Sequence, residues 1–452
     1  MTAIILAAGE GKRMKSALPK VLHLLGGVPM LLYPLNLLDR NHFQKTIVVI
    51  GHKAEQIEMF LEGRPIQTVF QPQRLGTGDA VLRAWPLLKE FTGQVVILNG
   101  DTPLIQPVTL AALQETHLKE KATITFLTAD VPNPKGYGRV IRAQDGAVSK
   151  IVEEKDATDE ERKIREINSG TYIIESQFLF KALQKIVPEN EQKEYYLTDT
   201  VKIAKDVGAR VVAVKTHAEE VFGINSRAEL AQAEAILQKR IARHWMDAGV
   251  TLIDPSRIRI DAQVRIGVDT VIHPGVTLEG STKVGQGCVL YPCRIKNSHL
   301  ETGVLIKDHS VIEEAIIESD VTVGPFAHLR PGTILRTGAK VGNFVEIKKS
   351  ELGEKSKANH LTYLGNAYIG KRVNIGAGTI TCNFDGKRKY KTVIEDDVFV
   401  GSDTQFIAPV TIGARALIAA GSTITKDVEP DALAISRGRQ TTKVGWKKKR
   451  NH

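Results

Sequence analysis

The chain of 452 residues is poor in cysteine and in aromatic side chains, with three cysteines and an aromatic share of 6%. A small, odd number of cysteines argues against a disulfide framework and favours free thiols in a reducing cytoplasm. No apolar run approaches the roughly 20 residues that a membrane helix needs. The N terminus carries its apolar residues before its charges, the reverse of a secretory signal. We therefore expect a cytoplasmic protein without a membrane partner.

The formal net charge of +10 suggests anionic partners. Nucleic acid is not expected among them, because no basic stripe is interleaved with aromatic residues and no reading helix is evident. Part of the charge lies in the tail Lys447–Arg450, which is most simply a solvated end. Small anionic substrates are the better expectation.

The length predicts two domains, and the first half alternates strand-like runs with helix-length segments. Such alternation is typical of a mostly parallel sheet with helices on both faces, in which ligands bind at the carboxyl ends of the strands. Gly78–Lys89 is one helix-length segment. The strand-like runs are Ala3–Leu6, Thr46–Ile50, Gln67–Phe70 and Val95–Leu98.

Glycine-containing loops follow two of these runs. After the first run, the glycines of 7–14 would let backbone N–H groups approach a phosphate, with charge supplied by Arg13 and Lys20. The spacing fits neither the dinucleotide fingerprint nor the Walker loop, and a tight turn explains it equally well. After the third run, the amide of Gln71 suits a nucleobase edge, although a surface glutamine is the simpler interpretation.

Further polar residues stand at the ends of other short apolar segments. Asp101 follows the fourth run and suits a magnesium site completed by substrate phosphates, or else a helix cap. Turn chemistry explains each of the later groups separately, but together with the loops they describe a nucleotide-sugar pocket. The later groups are Gly136–Arg139, Ile151–Glu153, Ile167–Gly170 and Gly223–Asn225.

A helix is predicted between the two halves. Ser226 and Glu229 have the spacing of a capping box, and apolar residues then recur at helical spacing up to Gly249. We therefore expect a linking helix at Arg227–Ala248 between domains at residues 1–226 and 250–452, the linker occupying 227–249.

From Val264 onward, aliphatic residues recur at every sixth position. This period is the mark of a parallel β-helix, in which three hexads form one triangular coil. The repeat positions are Ile266, Ile272, Leu278, Val284 and Leu290, then Leu305, Val311, Ile317, Val323, Leu329, Leu335, Val341 and Ile347, then Ile369 and Ile375, and finally Ile394, Val400, Phe406, Ile412, Ile418 and Ile424.

The repeat loses its phase in three places, between Leu290 and Leu305, Ile347 and Ile369, and Ile375 and Ile394. We expect extra residues to bulge out of the coil at each break. The second break contains His360, for which a structural and a catalytic role are about equally expected.

Several strings resemble known enzymes. LAAGEGKRMKSALPKVLH resembles the start of bacterial sugar-nucleotide pyrophosphorylases. RPG, VGNFVEIKK, KANHLTYLG and NIGAGTITCNFDG resemble one family, the bifunctional N-acetylglucosamine-1-phosphate uridylyltransferase/glucosamine-1-phosphate acetyltransferase. The resemblance covers nearly the whole chain. It implies an α/β Rossmann-like nucleotidyltransferase domain followed by a left-handed parallel β-helix, and synthesis of UDP-N-acetylglucosamine for cell-wall precursors.

By this resemblance, the first domain joins UTP to N-acetylglucosamine 1-phosphate and releases pyrophosphate, with Mg²⁺ held by Asp101 and Asn225. The implied substrate-binding residues are Leu6, Ala7, Ala8, Gly9, Arg13, Lys20, Gln71, Gly76, Thr77, Asn99, Gly100, Asp101, Gly138, Glu153, Asn168 and Asn225.

The second domain, by the same resemblance, acetylates glucosamine 1-phosphate from acetyl-CoA with His360 as general base, within a homotrimer. The implied sugar-phosphate contacts are Arg330, Lys348, Tyr363 and Asn374, and the implied acetyl-CoA positions are Ala377, Asn383, Phe384, Ser402, Ala420 and Arg437.

Two positions depart from the family pattern, because Asn99 and Phe384 stand where tyrosine is common. We expect modest changes in affinity from them. Two alternatives remain open: a single-activity pyrophosphorylase whose β-helix is structural or regulatory, and a non-enzymatic exchange-factor subunit built from the same modules.

Overall fold

The computed structural model describes residues 1–39 and 43–447, so the basic tail lies outside the described residues beyond Lys447. The chain forms two compact units, Met1–Leu237 and Gln238–His452. Within the described ranges, no helix is long and apolar enough to cross a membrane.

Within residues 1–39 and 43–237, the first unit contains eleven strands and the start of a long helix. The strands are β1 (Thr2–Ala7), β2 (Leu24–Leu25), β3 (Val28–Pro29), β4 (Lys45–Ile50), β5 (Gln67–Phe70), β6 (Gln94–Asn99), β7 (Ile124–Asp130), β8 (Arg139–Arg142), β9 (Val148–Val152), β10 (Glu166–Glu175) and β11 (Val211–Lys215). The α-helices are α1 (Leu32–Asp39), α2 (Ala54–Leu61), α3 (Thr77–Leu82), α4 (Pro107–Lys119), α5 (Asp159–Arg162), α6 (Ser176–Leu183), α7 (Asp199–Asp206) and α8 (Arg227–Asp247). Short 3₁₀ helices lie at Lys12–Met14, Lys20–Leu22 and Trp85–Leu87.

The main sheet has the order β11-β7-β10-β6-β1-β4-β5, with β8 and β9 attached through β10. Strands β1, β4, β5 and β6 are parallel, whereas β10 runs antiparallel to both β6 and β7. Successive residues of β1 belong to two different apolar clusters, since Ile4 packs on one side of the sheet and Ile5 on the other. A strand buried on both faces reads as a continuous apolar run, as the sequence predicted.

One predicted helix is shorter than expected. The segment Gly78–Lys89 divides into α3, which ends at Leu82, and a 3₁₀ turn at Trp85–Leu87. Pro86 explains the division, because a proline ring clashes with the carbonyl four residues earlier and offers no N–H. The capping pair at α8 forms only in part: Ser226 Oγ accepts from Glu229 N at 3.2 Å, while the Glu229 carboxylate accepts from Asn225 N at 2.7 Å.

The second unit is a left-handed parallel β-helix of short strands, as predicted. These are β12 (Thr251–Leu252), β13 (Arg259–Ile260), β14 (Arg265–Ile266), β15 (Val271–Ile272), β16 (Thr277–Glu279), β17 (Lys283–Val284), β18 (Val289–Leu290), β19 (Arg294–Lys296), β20 (His299–Leu300), β21 (Leu305–Ile306), β22 (Val311–Glu313), β23 (Ile316–Ile317), β24 (Thr322–Val323), β25 (His328–Leu329), β26 (Ile334–Leu335), β27 (Lys340–Lys348), β28 (Glu351–Leu352), β29 (Lys357–Gly365), β30 (Ala367–Ile369), β31 (Asn374–Ile375), β32 (Ile380–Cys382), β33 (Thr392–Ile394), β34 (Phe399–Val400), β35 (Gln405–Ile407), β36 (Val410–Ile412), β37 (Leu417–Ile418), β38 (Thr423–Ile424) and β39 (Leu433–Ala434). A 3₁₀ turn lies at Pro255–Arg257.

Most short strands pair in parallel with the third strand along the chain, and around the long strands β27 and β29 the pairing is with the second, so every face of the coil is a ladder of parallel strands. One face is a separate nine-stranded sheet, and the other two are joined into one sheet by β27 and β29. These two strands bend around a corner, and they pair with each other from Lys340↔Lys357 to Lys348↔Gly365.

The buried column inside the coil corrects the predicted phase. The inward side chains after Leu290 are Ile295, Leu300, Ile306 and Ile312, each fully buried, so the predicted Leu305 and Val311 are wrong by one residue. Steps of five residues are mixed with steps of six, which a strict six-residue count cannot follow.

The same observation corrects two of the three expected bulges. Between Ile347 and Ile369 the core continues through Leu352, Ala358 and Leu364, all fully buried, so His360 lies on strand β29 and not in an extruded loop. The first break is likewise made of shortened steps. Only the third break is an insertion, in which residues 383–391 leave the coil and Phe384 pairs with Lys389 in an antiparallel bridge.

Candidate functional sites

A cleft opens in the first unit where β1, β5 and β6 end. It consists of two adjoining cavities of about 350 and 190 Å³. Both are lined by Leu6, Thr77, Asn99 and Asp101. The larger also includes the predicted Ala7, Ala8, Gly9, Lys20, Gln71 and Gly76, and the smaller the predicted Gly138, Glu153, Asn168 and Asn225. Arg13 and Gly100 do not line either cavity.

Lys20 links the two residues predicted as metal ligands. Its ammonium is bonded to the carboxylate of Asp101 and lies 3.0 Å from Asn225 Oδ1. The backbone segments that carry Asn225 and Asp101 are joined, since Ile224 N donates to Asp101 O at 3.0 Å. A carboxylate and an amide oxygen therefore converge on one cation.

The first glycine-containing loop is held close to its neighbours. A Cβ at Gly51 would lie 2.8 Å from Ala8 O, whereas Gly9 has open space around it. Glu10 pairs with Arg74 across the mouth of the larger cavity, and this bond lowers the pKa of the Glu10 carboxyl. Arg13 is exposed on the 3₁₀ helix beside the cleft.

Gln71 is 5% exposed, and its Nε2 donates to Gly76 O at 3.1 Å and to Asp79 Oδ2 at 2.8 Å. The amide therefore braces the second loop through its nitrogen, and its oxygen is the atom that remains for a ligand. Gly76 has φ +106°, and a Cβ there would lie 2.5 Å from Tyr195 O. No other residue fits that conformation and that contact.

The smaller cavity contains the half-buried side chain of Glu153. Burial raises the pKa of Glu153, even though Thr198 Oγ1 donates to its Oε1 at 3.0 Å. Gly138 lies against it, since a Cβ at Gly138 would be 3.4 Å from Glu153 Oε2. Burial also raises the pKa of Tyr137, whose hydroxyl accepts from Gly223 N at 3.2 Å.

Asn99 lies at the junction of the two cavities. Its Nδ2 contacts Ser169 O at 3.4 Å, and a Cβ on Gly170 would lie 2.2 Å from that nitrogen. Asn168 Oδ1 accepts from Gly170 N at 3.1 Å, in the irregular part of β10 between Asn168 and Tyr172. Asn99 thus fits tightly against the turn that carries Asn168.

The ion pair between Arg139 and Glu154 was not predicted from the sequence. Arg139 is 1% exposed, and its guanidinium donates to Glu154 Oε2 at 2.6 Å and to the carbonyl of Tyr137. Glu154 also accepts from Gly136 N at 3.1 Å, and these bonds outweigh burial to lower its pKa. The pair ties the turn at 136–138 to the segment that carries Glu153.

The predicted residues of the second unit lie on one face and two corners of the coil. His360 is exposed at the first corner, and its Nδ1 lies 2.9 Å from Asn343 Oδ1. Asn343 was not predicted, because only the pairing of β27 with β29 brings it beside His360.

Three cations gather at the far edge of this face. Arg330 Nη1 donates to Glu346 Oε1 at 2.6 Å, and this bond raises the pKa of Arg330. Arg330, followed by Lys389, lowers the pKa of Lys348 by charge repulsion. Lys389 was not predicted, and the insertion at 383–391 carries it back toward the face.

Tyr363 lies between His360 and these cations. It pairs with Glu346 in the neighbouring strand, and its hydroxyl would lie 2.5 Å from a Cβ on Gly365. A glycine at position 365 is therefore what lets the tyrosine ring lie along the strand.

Asn374 is half-buried on β31, on the other side of the corner, where it pairs with Lys357.

Four of the six predicted cofactor positions, Ala377, Ser402, Ala420 and Arg437, form a vertical column below His360. Gly378 N bonds Leu361 O at 3.1 Å, Asp403 N bonds Ala377 O at 2.7 Å and Gly421 N bonds Ser402 O at 2.8 Å, which aligns the corners of successive coils. Arg437 continues the column, because its Nη1 donates to Ala420 O at 2.8 Å.

Asn383 and Phe384 are separated from this column by the width of the face. Asn383 is 8% exposed and its Nδ2 donates to Asn366 Oδ1 at 2.8 Å, whereas Phe384 is 58% exposed at the start of the insertion. The structure thus places Asn383 at the opposite corner, with the unpredicted Asn366 as its partner.

Comparisons with known proteins agree with this architecture. Residues 2–252 match the nucleotidyl transferase family, residues 255–350 the GMPPB C-terminal domain, and residues 391–426 the bacterial transferase hexapeptide family with six repeats. Three relatives carry the name bifunctional protein GlmU. The protein from Geotalea uraniireducens (strain Rf4) is 52% identical over 100% of this chain and 99% of its own length. The protein from Heliobacterium modesticaldum is 51% identical over 98% and 97%, and that from Streptococcus agalactiae serotype V is 48% identical over 100% and 98%.

Proposed function

Since the chain belongs to the family of bifunctional GlmU proteins, it is a bifunctional transferase that makes UDP-N-acetylglucosamine, and we propose that each unit carries one of its two transfers. The cleft of the first unit would perform uridylyl transfer from UTP, and the face of the β-helix would perform N-acetylation of glucosamine 1-phosphate. The observation that carries this assignment is the convergence of Lys20, Asp101 and Asn225 in the cleft, separate from His360 and its column.

The donor set in the cleft fits Mg²⁺. The Lys20 ammonium contacts the Asp101 carboxylate and the Asn225 amide oxygen, so both oxygens already face a cation. Such hard oxygen atoms are the ligands that Mg²⁺ prefers. No group of three or more His, Cys, Asp or Glu side chains suited to a metal occurs in residues 1–39 and 43–447. The remaining ligands would therefore be substrate phosphates and water. When bound, Mg²⁺ would neutralise charge on the triphosphate.

The chain's own residues would position the two substrates. The loop at 6–9 would direct backbone N–H groups at the triphosphate, Gln71 would offer its amide oxygen to the base, and Arg13 and Lys20 would contact phosphates. Glu153, Gly138 and the turn at Asn168 would hold N-acetylglucosamine 1-phosphate. Its phosphate oxygen would attack the α-phosphorus of UTP, and pyrophosphate would leave without a protein nucleophile.

The test of this site is Asp101→Ala, assayed for pyrophosphate release over a magnesium titration, with acetyl transfer as the control for folding. We expect uridylyl transfer to be crippled at limiting magnesium and acetyl transfer to be retained. An unchanged magnesium dependence would contradict the role of Asp101 as a ligand.

In the acetyl transfer, the amine of glucosamine 1-phosphate would attack the thioester carbonyl of acetyl-CoA. His360 would take the proton from the amine at Nε2, the acetyl group would become an amide, and the CoA thiol would leave. Arg330, Lys348 and Lys389 form the cationic edge that suits the sugar phosphate. The column Ala377, Ser402, Ala420 and Arg437 would contact acetyl-CoA.

His360→Ala tests the second site. Acetyl transfer, measured by thiol release, should be abolished while uridylyl transfer stays nearly unchanged. Loss of both activities, or of neither, would overturn the assignment of two separate sites. It would also reopen the alternative of a single-activity enzyme with a structural β-helix.

We also propose a homotrimer formed through the β-helix. Its support is a set of exposed apolar side chains stacked in columns, notably Phe326, Phe344 and Leu361 at 48%, 56% and 63% exposure. Such stacked apolar surface in one chain is what a neighbouring copy would cover. A monomer in analytical ultracentrifugation of the whole chain would refute this.

The three free cysteines support a location in the reducing cytoplasm.

A further inference from the structure

Asn343 contacts His360 at a corner of the coil that is held in place on both sides. The two residues are direct partners in the β27–β29 ladder, and Asn343 Oδ1 lies 2.9 Å from His360 Nδ1. The residues that follow them, Phe344 and Leu361, have φ of +56° and +47°. Each of these turns is bonded to a neighbouring coil, Phe344 N to Phe326 O at 3.2 Å and Gly378 N to Leu361 O at 3.1 Å.

We propose that Asn343 is a positioning residue for the acetyl transfer, acting through His360. The amide oxygen accepts a hydrogen bond from Nδ1–H, which selects the tautomer whose lone pair is on Nε2. The same bond fixes the plane of an otherwise exposed ring. This inference rests on the proposed role of His360 as the base.

The partner of His360 is the neutral amide of Asn343, which adds no charge that would raise the proton affinity of the ring. A carboxylate at this place would stabilise the imidazolium form, whereas an amide oxygen orients the ring without adding a charge. The charged or titratable side chains on the paired strands are Lys340, Glu346 and Lys348 on β27, and Lys357 and Tyr363 on β29. Residues 374–381, which follow the next turn of the coil, carry no charged side chain. All of these groups stay the same when only residue 343 is varied.

The test compares Asn343→Ala and Asn343→Asp in the full chain, with acetyl transfer followed across pH and uridylyl transfer measured on the same preparation. For Asn343→Ala we expect kcat/KM for acetyl transfer to fall about 10- to 100-fold, less than the 10²–10⁴-fold that a general base contributes. For Asn343→Asp we expect the acid limb of the pH profile to move upward by about one unit or more, because the new carboxylate favours the imidazolium. Uridylyl transfer should not change in either variant.

Two controls separate this proposal from its alternatives. Asn297→Ala removes another amide from the coil, one whose Oδ1 accepts from Ser281 N at 3.1 Å, and should leave acetyl transfer unchanged. A purely structural role for Asn343 would lower the rate without moving the acid limb in the aspartate variant, and that result would overturn the proposal. Acetyl transfer within twofold of normal in Asn343→Ala would do the same. If His360→Ala retains acetyl transfer, the proposed base itself fails, and this inference fails with it.

Discussion

Removal of the Glu154 carboxylate should destabilise the first unit and loosen the turn at 136–138, which we assign to the sugar phosphate. Arg139 is 1% exposed, so Glu154→Ala leaves a buried guanidinium without its counter-charge. Glu154 also anchors Gly136 N at 3.1 Å, and this bond is lost at the same time. The affected turn carries Tyr137 and Gly138, which line the smaller cavity.

The loss of unfolding free energy in Glu154→Ala depends on the hydrogen bonds that Arg139 keeps. Breaking a buried ion pair by removing one partner costs about 3–5 kcal/mol. Arg139 retains the carbonyls of Tyr137 and Arg162, and the Glu154 side chain is itself 30% exposed. We therefore expect the lower end of that range, about 3 kcal/mol of unfolding free energy. The double variant Arg139→Met, Glu154→Leu should be more stable than Glu154→Ala, because an apolar pair leaves no charge unpaired.

Urea unfolding monitored by hydrogen exchange of peptides from residues 1–226 reports on this unit alone. Steady-state kinetics should show a raised KM for N-acetylglucosamine 1-phosphate with a smaller change in the KM for UTP. Acetyl transfer, which we assign to the other unit, controls for the integrity of the preparation. A loss below about 1 kcal/mol in Glu154→Ala, or a double variant less stable than the single one, would show that Glu154→Ala leaves no uncompensated buried charge.

Three further changes probe other parts of the chain. Burial raises the pKa of Glu153, so the folded state loses stability as the pH rises from the ordinary value of 4.5 through the raised pKa. Glu153→Gln should therefore raise the urea midpoint at neutral pH but not below pH 4.5. Equal shifts of the midpoint at the two pH values would contradict this. Gly365→Ala places a Cβ 2.5 Å from the Tyr363 hydroxyl, so the KM for glucosamine 1-phosphate should rise while thermal stability hardly changes; an unaltered KM would argue against the tyrosine contact. Leu329→Ala, at a fully buried position, should lower the unfolding free energy of the β-helix by about 2–5 kcal/mol in urea unfolding, because it leaves a cavity in the core. A loss under about 1 kcal/mol would mean that the coil collapses around that cavity.

Local patterns predicted what depends on neighbours in sequence. The four strands that precede the cleft and the helix α8 were placed within one or two residues, because their apolar runs and helical spacing reflect burial directly. The helix predicted up to Lys89 was too long, because the apolar pattern outweighed the stop signal at Pro86. The β-helix was recognised, yet Leu305 and Val311 were misplaced, since coils of unequal length bury the same column.

The pairs that brace the two sites depend on residues distant in sequence. Arg139 and Glu154 are joined by the β8–β9 hairpin, and Asn343 meets His360 only across two coils of the β-helix. A lone arginine or asparagine in a sequence gives no sign of such a partner. The predicted contact residues came from a family resemblance, which does not report the side chains that hold them.

The unequal steps of the β-helix have a consequence for how this fold tolerates changes in length. Each strand takes its register from the strand one coil below, so a residue gained or lost at a corner is absorbed within that coil. Ala377 and Ser402 are neighbours in the column although the insertion at 383–391 separates them in sequence. Loops can therefore lengthen at one corner while the opposite corner keeps its spacing. The coil is accordingly a scaffold into which new surface segments can be inserted without displacing a catalytic group.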